Sequence, residues 1–177
     1  MKTVSGFARG PIAVLLALSI VLGGCAGPKI AADLLGSVTP NEKPISSSGY
    51  EIAVTINPRI NNYEGIDQSV HDSLDMALTS AKIFSVGGAS KYKIGADILT
   101  ASQAAWSFGS FNGTLEIRYS VVDSTGRALL DKTIFTEAGS DKIIFSGEAR
   151  HRRARAVNIA KNTLEFVEFL RHDRDIK

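Results

Sequence analysis

The chain has 177 residues, 44% apolar and 21% charged, a balance that suits about one globular domain and excludes disorder throughout. Its single cysteine excludes an intramolecular disulfide framework and a multi-cysteine zinc site. The formal charge of +2 is mildly basic, and where those charges sit decides what it means.

Lys2 and Arg9 open the chain with positive charge and no acidic residue. Residues 12–22 are then apolar except for Ser19, a run shorter than the roughly 17–25 residues that span a bilayer core. This is the anatomy of a secretory signal peptide, residues 1–24, and not of a transmembrane helix. The run ends in Leu22-Gly23-Gly24-Cys25. Two small residues let the chain lie extended in a peptidase groove, and the following thiol is placed to accept a diacylglyceryl group.

These four residues resemble the bacterial lipoprotein lipobox, with Gly23 standing where Ala or Ser is commoner. The resemblance implies a mature chain that begins at Cys25 and carries fatty-acyl chains of the palmitate type. Each buried methylene contributes about 0.8 kcal/mol, so two or three chains hold a protein on a membrane essentially permanently. It also implies a location: an Asp after the cysteine retains such proteins in the inner membrane. Ala26 stands there instead and points to the outer membrane of a Gram-negative envelope, with the protein facing the periplasm. An ordinary cleaved signal followed by a chance cysteine is the alternative.

Residues 1–24 hold two of the 20 basic residues and none of the 18 acidic ones, so the remainder carries 18 of each. A chain without net charge gives no reason to expect a nucleic-acid partner.

Residues 25–49 combine the lipidation site with Pro28, Gly36, Pro40, Pro44 and the run Ser46-Ser47-Ser48-Gly49. This composition predicts a flexible tether, although 30–35 has the pattern of one helical turn. Regular patterns start at Tyr50 and continue to the end, predicting one domain over 50–177. Ile52, Val54 and Ile56 alternate with polar or small residues, a half-buried strand ended by Asn57-Pro58. Ile66, Val70, Leu74, Ala77, Ala81 and Phe84 then recur at helical spacing, one apolar stripe of a helix over about 64–82.

Tyr92, Ile94, Ala96 and Ile98 mark a second strand, and Leu115, Ile117, Tyr119 and Val121 a third. Asp123-Ser124-Thr125-Gly126 is a turn, and 128–136 returns as a fourth strand. Ser146 caps a last helix with the stripe Ala149, Arg153, Val157, Ala160, Leu164 and Val167. The order β-α-β-β-β-α predicts an α+β two-layer sandwich. Its four-stranded, mostly antiparallel sheet is covered on one face by two helices.

This layout is loosely similar to the lipopolysaccharide-assembly lipoprotein, to auxiliary lipoproteins of lipid transporters and to the amino-terminal domain of the Tol-Pal translocation protein. The resemblance implies a role in the cell envelope. No binding motif of those groups can be laid on this chain residue by residue.

Three clusters are candidates for chemistry. Arg150, Arg152, Arg153 and Arg155 stand at the start of the last helix, and 149–164 contains no carboxylate. Guanidinium groups fork onto phosphates and carboxylates, so the cluster suits an anionic lipid, lipopolysaccharide or an acidic protein face. The alternative is internal pairing with Glu64, Asp67, Asp72 and Asp75 of the first helix, Arg153 laying its stem on the sheet. Trp106, Phe108 and Phe111 lie among Gly and Ser between the second and third strands. They form either an apolar docking tip or a continuation of the strand into the core, with Gly109 a bulge. Asp67, His71 and Asp75 line one side of the first helix, but positions i and i+8 are about 12 Å apart along the axis, too far to share one metal ion.

No nucleophile elbow, phosphate loop, dinucleotide fingerprint or zinc-helix motif occurs in the sequence. The expectation is therefore a non-catalytic accessory module without cofactor or metal, anchored in the membrane and binding another envelope component. A lipid-binding transport accessory with a groove between helices and sheet is the second reading. A hydrolase or transferase with a nonlocal site around His71 or His151 is the third.

Overall fold

The computed structural model describes residues 30–60, 65–103, 112–141, 144, 146–173 and 176. Strand β1 (Gly49–Ile56) turns Ile52, Val54 and Ile56 inward and Glu51, Ala53 and Thr55 outward, the period-two pattern of the sequence. A longer helix follows, Ile66–Ala81. Gly65 takes a left-handed conformation just before it, and Asp67 in the first turn faces the positive end of the helix dipole. Ile66, Val70, Leu74, Ala77 and Ala81 are all buried, so the predicted stripe is the packed face.

Strands β2 (Ser90–Gln103), β3 (Gly113–Asp123) and β4 (Ala128–Ala138) form a meander. Between β3 and β4, Gly126 has φ +87° and the Asp123 carboxylate accepts the backbone N–H groups of Thr125 and Arg127. These bonds, led by that from the Thr125 hydroxyl, hold the Asp123 carboxyl down at about 2. The final helix spans Gly147–His172, and the Ala149 N–H donates to Ser146 Oγ at 3.4 Å, as the predicted cap requires.

The strands lie in the order β1-β2-β3-β4. The Ile66–Ala81 crossover returns the chain to the same end of the sheet, so β1 and β2 pair in parallel, while the other two pairings are antiparallel. The result is the predicted α+β sandwich. Ile94, Ala96, Ile98, Leu115, Ile117, Tyr119 and Val121 point at the helices. The opposite face is wet, with Arg118 paired to Asp131 and Phe135 left 60% exposed.

Residues 30–48 differ from the expected tether. Ala31 and Leu35 are fully buried, and Ala32–Leu35 forms a short helix, α1; the helices Ile66–Ala81 and Gly147–His172 are hereafter α2 and α3. Further on, Asn41 donates its backbone N–H and its side-chain amide to the Ala81 carbonyl, at 3.1 and 2.9 Å. Ser46 donates to the Ile83 carbonyl and bridges to Phe84. This arm binds through backbone groups, a few isolated apolar side chains and the polar side chains of Asp33 and Asn41. Its Gly, Pro and Ser content reflects turns, and the folded unit begins by Ile30 rather than at Tyr50.

Between α3 and the sheet, Tyr119 and Phe166 stack with ring centroids 4.2 Å apart and planes 11° from parallel. The Tyr119 hydroxyl donates to Asn162 Oδ1 at 2.8 Å, and burial pushes its phenol above the usual range. Asn162 Nδ2 donates to the Ile134 carbonyl and to Thr136 Oγ1, both at 3.1 Å. Asn158 Nδ2 donates to the Gly113 carbonyl at 2.7 Å. Two amides one helical turn apart therefore fix how α3 lies along β3 and β4.

Candidate functional site

Of the candidate residues, Cys25 and the aromatics Trp106, Phe108 and Phe111 lie outside the described residues. The strand ends flanking the aromatic segment are defined: Gln103 and Gly113 are register partners, and Asn112 donates to Glu137 at 3.2 Å. In β2 the register shifts between Ile98 and Thr100; Gly109, where a bulge was one reading, lies outside the described residues.

All four arginines of the cluster lie among the described residues. The capping Ser146 sets the first turn of α3, and the next two turns carry Arg150, Arg152, Arg153 and Arg155 into separate environments. Arg150 donates through Nε and Nη2 to the Ile144 carbonyl, at 3.0 and 2.8 Å, closing the connection between β4 and α3. Arg152 pairs one turn back with Glu148, whose side chain is well exposed. Arg155 is half-buried.

Arg153 is the buried one, its side chain 6% exposed. Its fork meets two carboxylates. Nη1 and Nη2 donate to the two oxygens of Asp33, both at 2.8 Å, while Nε and Nη2 donate to those of Asp141, both at 2.6 Å. These two partners, Asp141 first, raise the guanidinium above its already high ordinary value. Arg153 is therefore an internal clasp and not a site for an external anion; four of its five N–H groups are engaged by α1 and by the loop after β4.

The acidic groups of α2 are not its partners. Asp75 accepts from the Tyr50 hydroxyl at 2.8 Å, and Asp72 accepts from the Gln68 side chain at 2.7 Å. Burial, with Asp75 adding its charge, pushes the Tyr50 phenol up to about 12. Glu64 lies outside the described residues. Among the described residues no group of three His, Cys, Asp or Glu side chains is placed to hold a metal ion, and Asp67, His71 and Asp75 do not converge.

Sequence reasoning missed Asp33 and Asp141 as the counter-charges, and Asn158 and Asn162 as the polar anchors of α3. The amides left a signal, since two Asn four residues apart interrupt an otherwise apolar helix face. Asp33 left one only in hindsight, as a lone acid between Ala31 and Leu35.

No family model matches the sequence, and no curated protein matches it. Solved structures do. The chain is similar to a Xanthomonas campestris protein of the DUF330 family, with a TM-score of 0.52 and 18% identity over 75% of this chain and 89% of that one. A Caulobacter crescentus protein described as a lipoprotein aligns with a TM-score of 0.47 and 12% identity, over 78% of this chain and 90% of that one. A minor lipoprotein from Acinetobacter baumannii aligns with a TM-score of 0.45 and 11% identity, over 71% and 95%. At 18% identity, the likeness to the Xanthomonas protein establishes a shared fold and nothing finer.

Proposed function

We propose that this chain is a lipid-anchored lipoprotein of the bacterial outer membrane, facing the periplasm. Its α+β domain then serves as a non-catalytic binding or assembly module of the envelope. The observation that carries the reading is Leu22-Gly23-Gly24-Cys25 at the end of an apolar run, five residues before the folded unit begins. The fold shared with the DUF330 protein is consistent with it.

The domain supports a binding role through its wet sheet face, where Phe135 stands exposed among the charged side chains of β3 and β4. The lipid-transport reading fits less well. Its groove between helices and sheet is the space taken by Tyr119, Phe166 and the aliphatic core.

Mass spectrometry of the protein purified from membranes is the test. The proposal expects an amino terminus at Cys25 with diacylglyceryl and amide-linked acyl mass, and release from the membrane fraction by Cys25→Ala. An unmodified Cys25, or a mature chain that lacks it, refutes the anchor. Co-purification of a stoichiometric envelope protein with the detergent-solubilised wild type supports the module; bound lipid in native mass spectra favours the transport reading instead.

A further inference from the structure

Two of the three large apolar side chains exposed among the described residues stand at one edge of the sheet. Phe135 projects from β4 on the wet face, beside its register partner Glu116. Phe169 of α3 lies on the opposite side, with Lys132 Nζ of β4 4.4 Å from its ring centroid. β4 is the last strand, and β3 is its one strand neighbour among the described residues. Such an edge holds out backbone groups that another strand can take up. A lysine on an edge strand guards it, but Lys132 is drawn back onto the Phe169 ring.

The sequence of β4 suits a second copy of itself and selects the register. Opposite residues of an antiparallel pair point to the same face, so a two-fold axis passes through a residue that meets its own counterpart. The ladder to β3 runs regularly only from Leu130 onward, which puts the axis near the middle of 130–138. Lys132 at the centre opposes two ammonium groups, and Ile134 opposes Asp131 to Glu137 twice. Thr133 sets each Phe135 against an Asp131 carboxylate already paired with Arg118. Phe135 at the centre brings the two exposed rings together and opposes no like charges. Thr133 then faces Glu137, Ile134 faces Thr136 and Lys132 faces Ala138.

The helices agree with that register. α3 lies over β3 and β4, its Asn158 bonded to Gly113 and its Asn162 to Ile134 and Thr136, level with Phe135. Two such helices beside strands about 4.8 Å apart have axes about 10 Å apart, the usual distance for packed helices. They run antiparallel about the level of Asn162. The exposed Lys161 and Glu165, one turn apart on the side away from Phe166, come opposite Glu165 and Lys161 of the second copy.

We infer that this chain forms a two-fold dimer through β4, with Phe135 on the axis and Lys161 and Glu165 paired reciprocally across the α3 seam. The ladder adds about six backbone hydrogen bonds and makes one eight-stranded sheet. Its wet faces join into a single platform for an envelope partner. α1 packs on α2 and α3, so both amino-terminal arms leave from the helix side, and two anchors at Cys25 reach one bilayer. That consequence rests on the acylated Cys25; the pairing of β4 does not.

The test uses the mature protein purified from membranes in detergent. Sedimentation of wild type at about 50 μM is expected to give a dimer, in the range of a micromolar association. Under mild oxidation Phe135→Cys should link to itself at least about tenfold faster than Thr133→Cys, because directly opposite Cβ atoms are about 5 Å apart. Thr133→Cys mixed with Glu137→Cys should link as a heterodimer, and wild type, whose one cysteine is Cys25, is the blank.

Phe135→Glu opposes two carboxylates on the axis and should weaken the dimer by about tenfold or more with unchanged circular dichroism. If that variant loses its fold, Phe135→Ser is read in the same way. Lys161→Glu should weaken the dimer, and Lys161→Glu/Glu165→Lys should restore it. A wild type that stays monomeric overturns the dimer and leaves the anchor standing. Faster self-linking at Thr133→Cys, or a larger assembly in which Phe135→Cys does not link, overturns the β4 pairing.

Discussion

Replacing Arg153 by Met tests the most unusual contact in the molecule. Met keeps an aliphatic stem in the same space and removes the fork, so the change isolates charge and hydrogen bonding from packing. Removing one partner of a fully buried ion pair costs about 3–5 kcal/mol. Here Arg153 is 6% exposed, but the Asp33 and Asp141 side chains are 45% and 33% exposed and regain water when abandoned. The expected cost is therefore about 2 kcal/mol, or a fall in Tm of roughly 5–8 °C for a domain of this size.

Urea unfolding followed by circular dichroism measures that cost, with an unchanged m-value expected, since the surface exposed on unfolding is the same. Arg153→Lys should fall between wild type and Met, because a compact ammonium cannot fork onto two carboxylates. A double-mutant cycle with Asp33→Asn should give a coupling of about 1–2 kcal/mol. Amides over 31–36 should exchange faster in Arg153→Met while those of β3 keep their relative protection. If Arg153→Met unfolds within about 0.5 kcal/mol of wild type and the arm keeps its protection, the assigned role of the arginine is wrong.

Gly49→Ala places a Cβ 2.4 Å from the Gly88 carbonyl oxygen, a backbone atom that cannot rotate away, and should cost about 1–3 kcal/mol in the same unfolding assay. Asn162→Leu strands the buried Tyr119 hydroxyl and should cost about 2 kcal/mol, with Asn162→Leu/Tyr119→Phe closer to wild type than Asn162→Leu alone. Alkaline stability should also fall. Tyr50 ionises near 10 when unfolded but at about 12 in the fold, so the folded state favours the neutral phenol. That contribution is complete below about pH 10 and is lost as the pH rises to about 12. Tyr119, raised in the same direction, acts alike. Urea midpoints across that range should drop less steeply in Tyr50→Phe; an unchanged slope would rule out the assignment to Tyr50.

The sequence made the elements legible wherever one side of a strand or helix meets the core. The stripe Ile66, Val70, Leu74, Ala77 and Ala81 and the alternation Leu115, Ile117, Tyr119 and Val121 both turned out buried, because period and burial are linked by geometry alone. The arm was illegible for the converse reason. Asn41 and Ser46 hold it by bonding to backbone carbonyls of α2 and its exit, mostly through their own backbone N–H groups, and such contacts leave no periodic trace.

The arginine cluster was legible as an oddity, and its mode of pairing was not. Arg153 and Asp33 are 120 positions apart, so the nearest visible acids, those of α2, looked like the partners. Tyr50 and Gln68 had already engaged two of them. Charge counting gives the sign of what an arginine needs; only the fold selects which carboxylate supplies it.

The arm has a mechanical meaning too. A pull applied ahead of Ile30 loads the Asp33–Arg153 clasp and the short turn of α1 first, whereas the four hydrogen-bonded strands lie farther along the line of force. Beyond that clasp, residues 30–48 hold about 60 Å of chain, retained by the buried Ala31 and Leu35 and by the bonds of Asn41 and Ser46. A mooring line coiled on the hull is stowed the same way, its length made fast at several points.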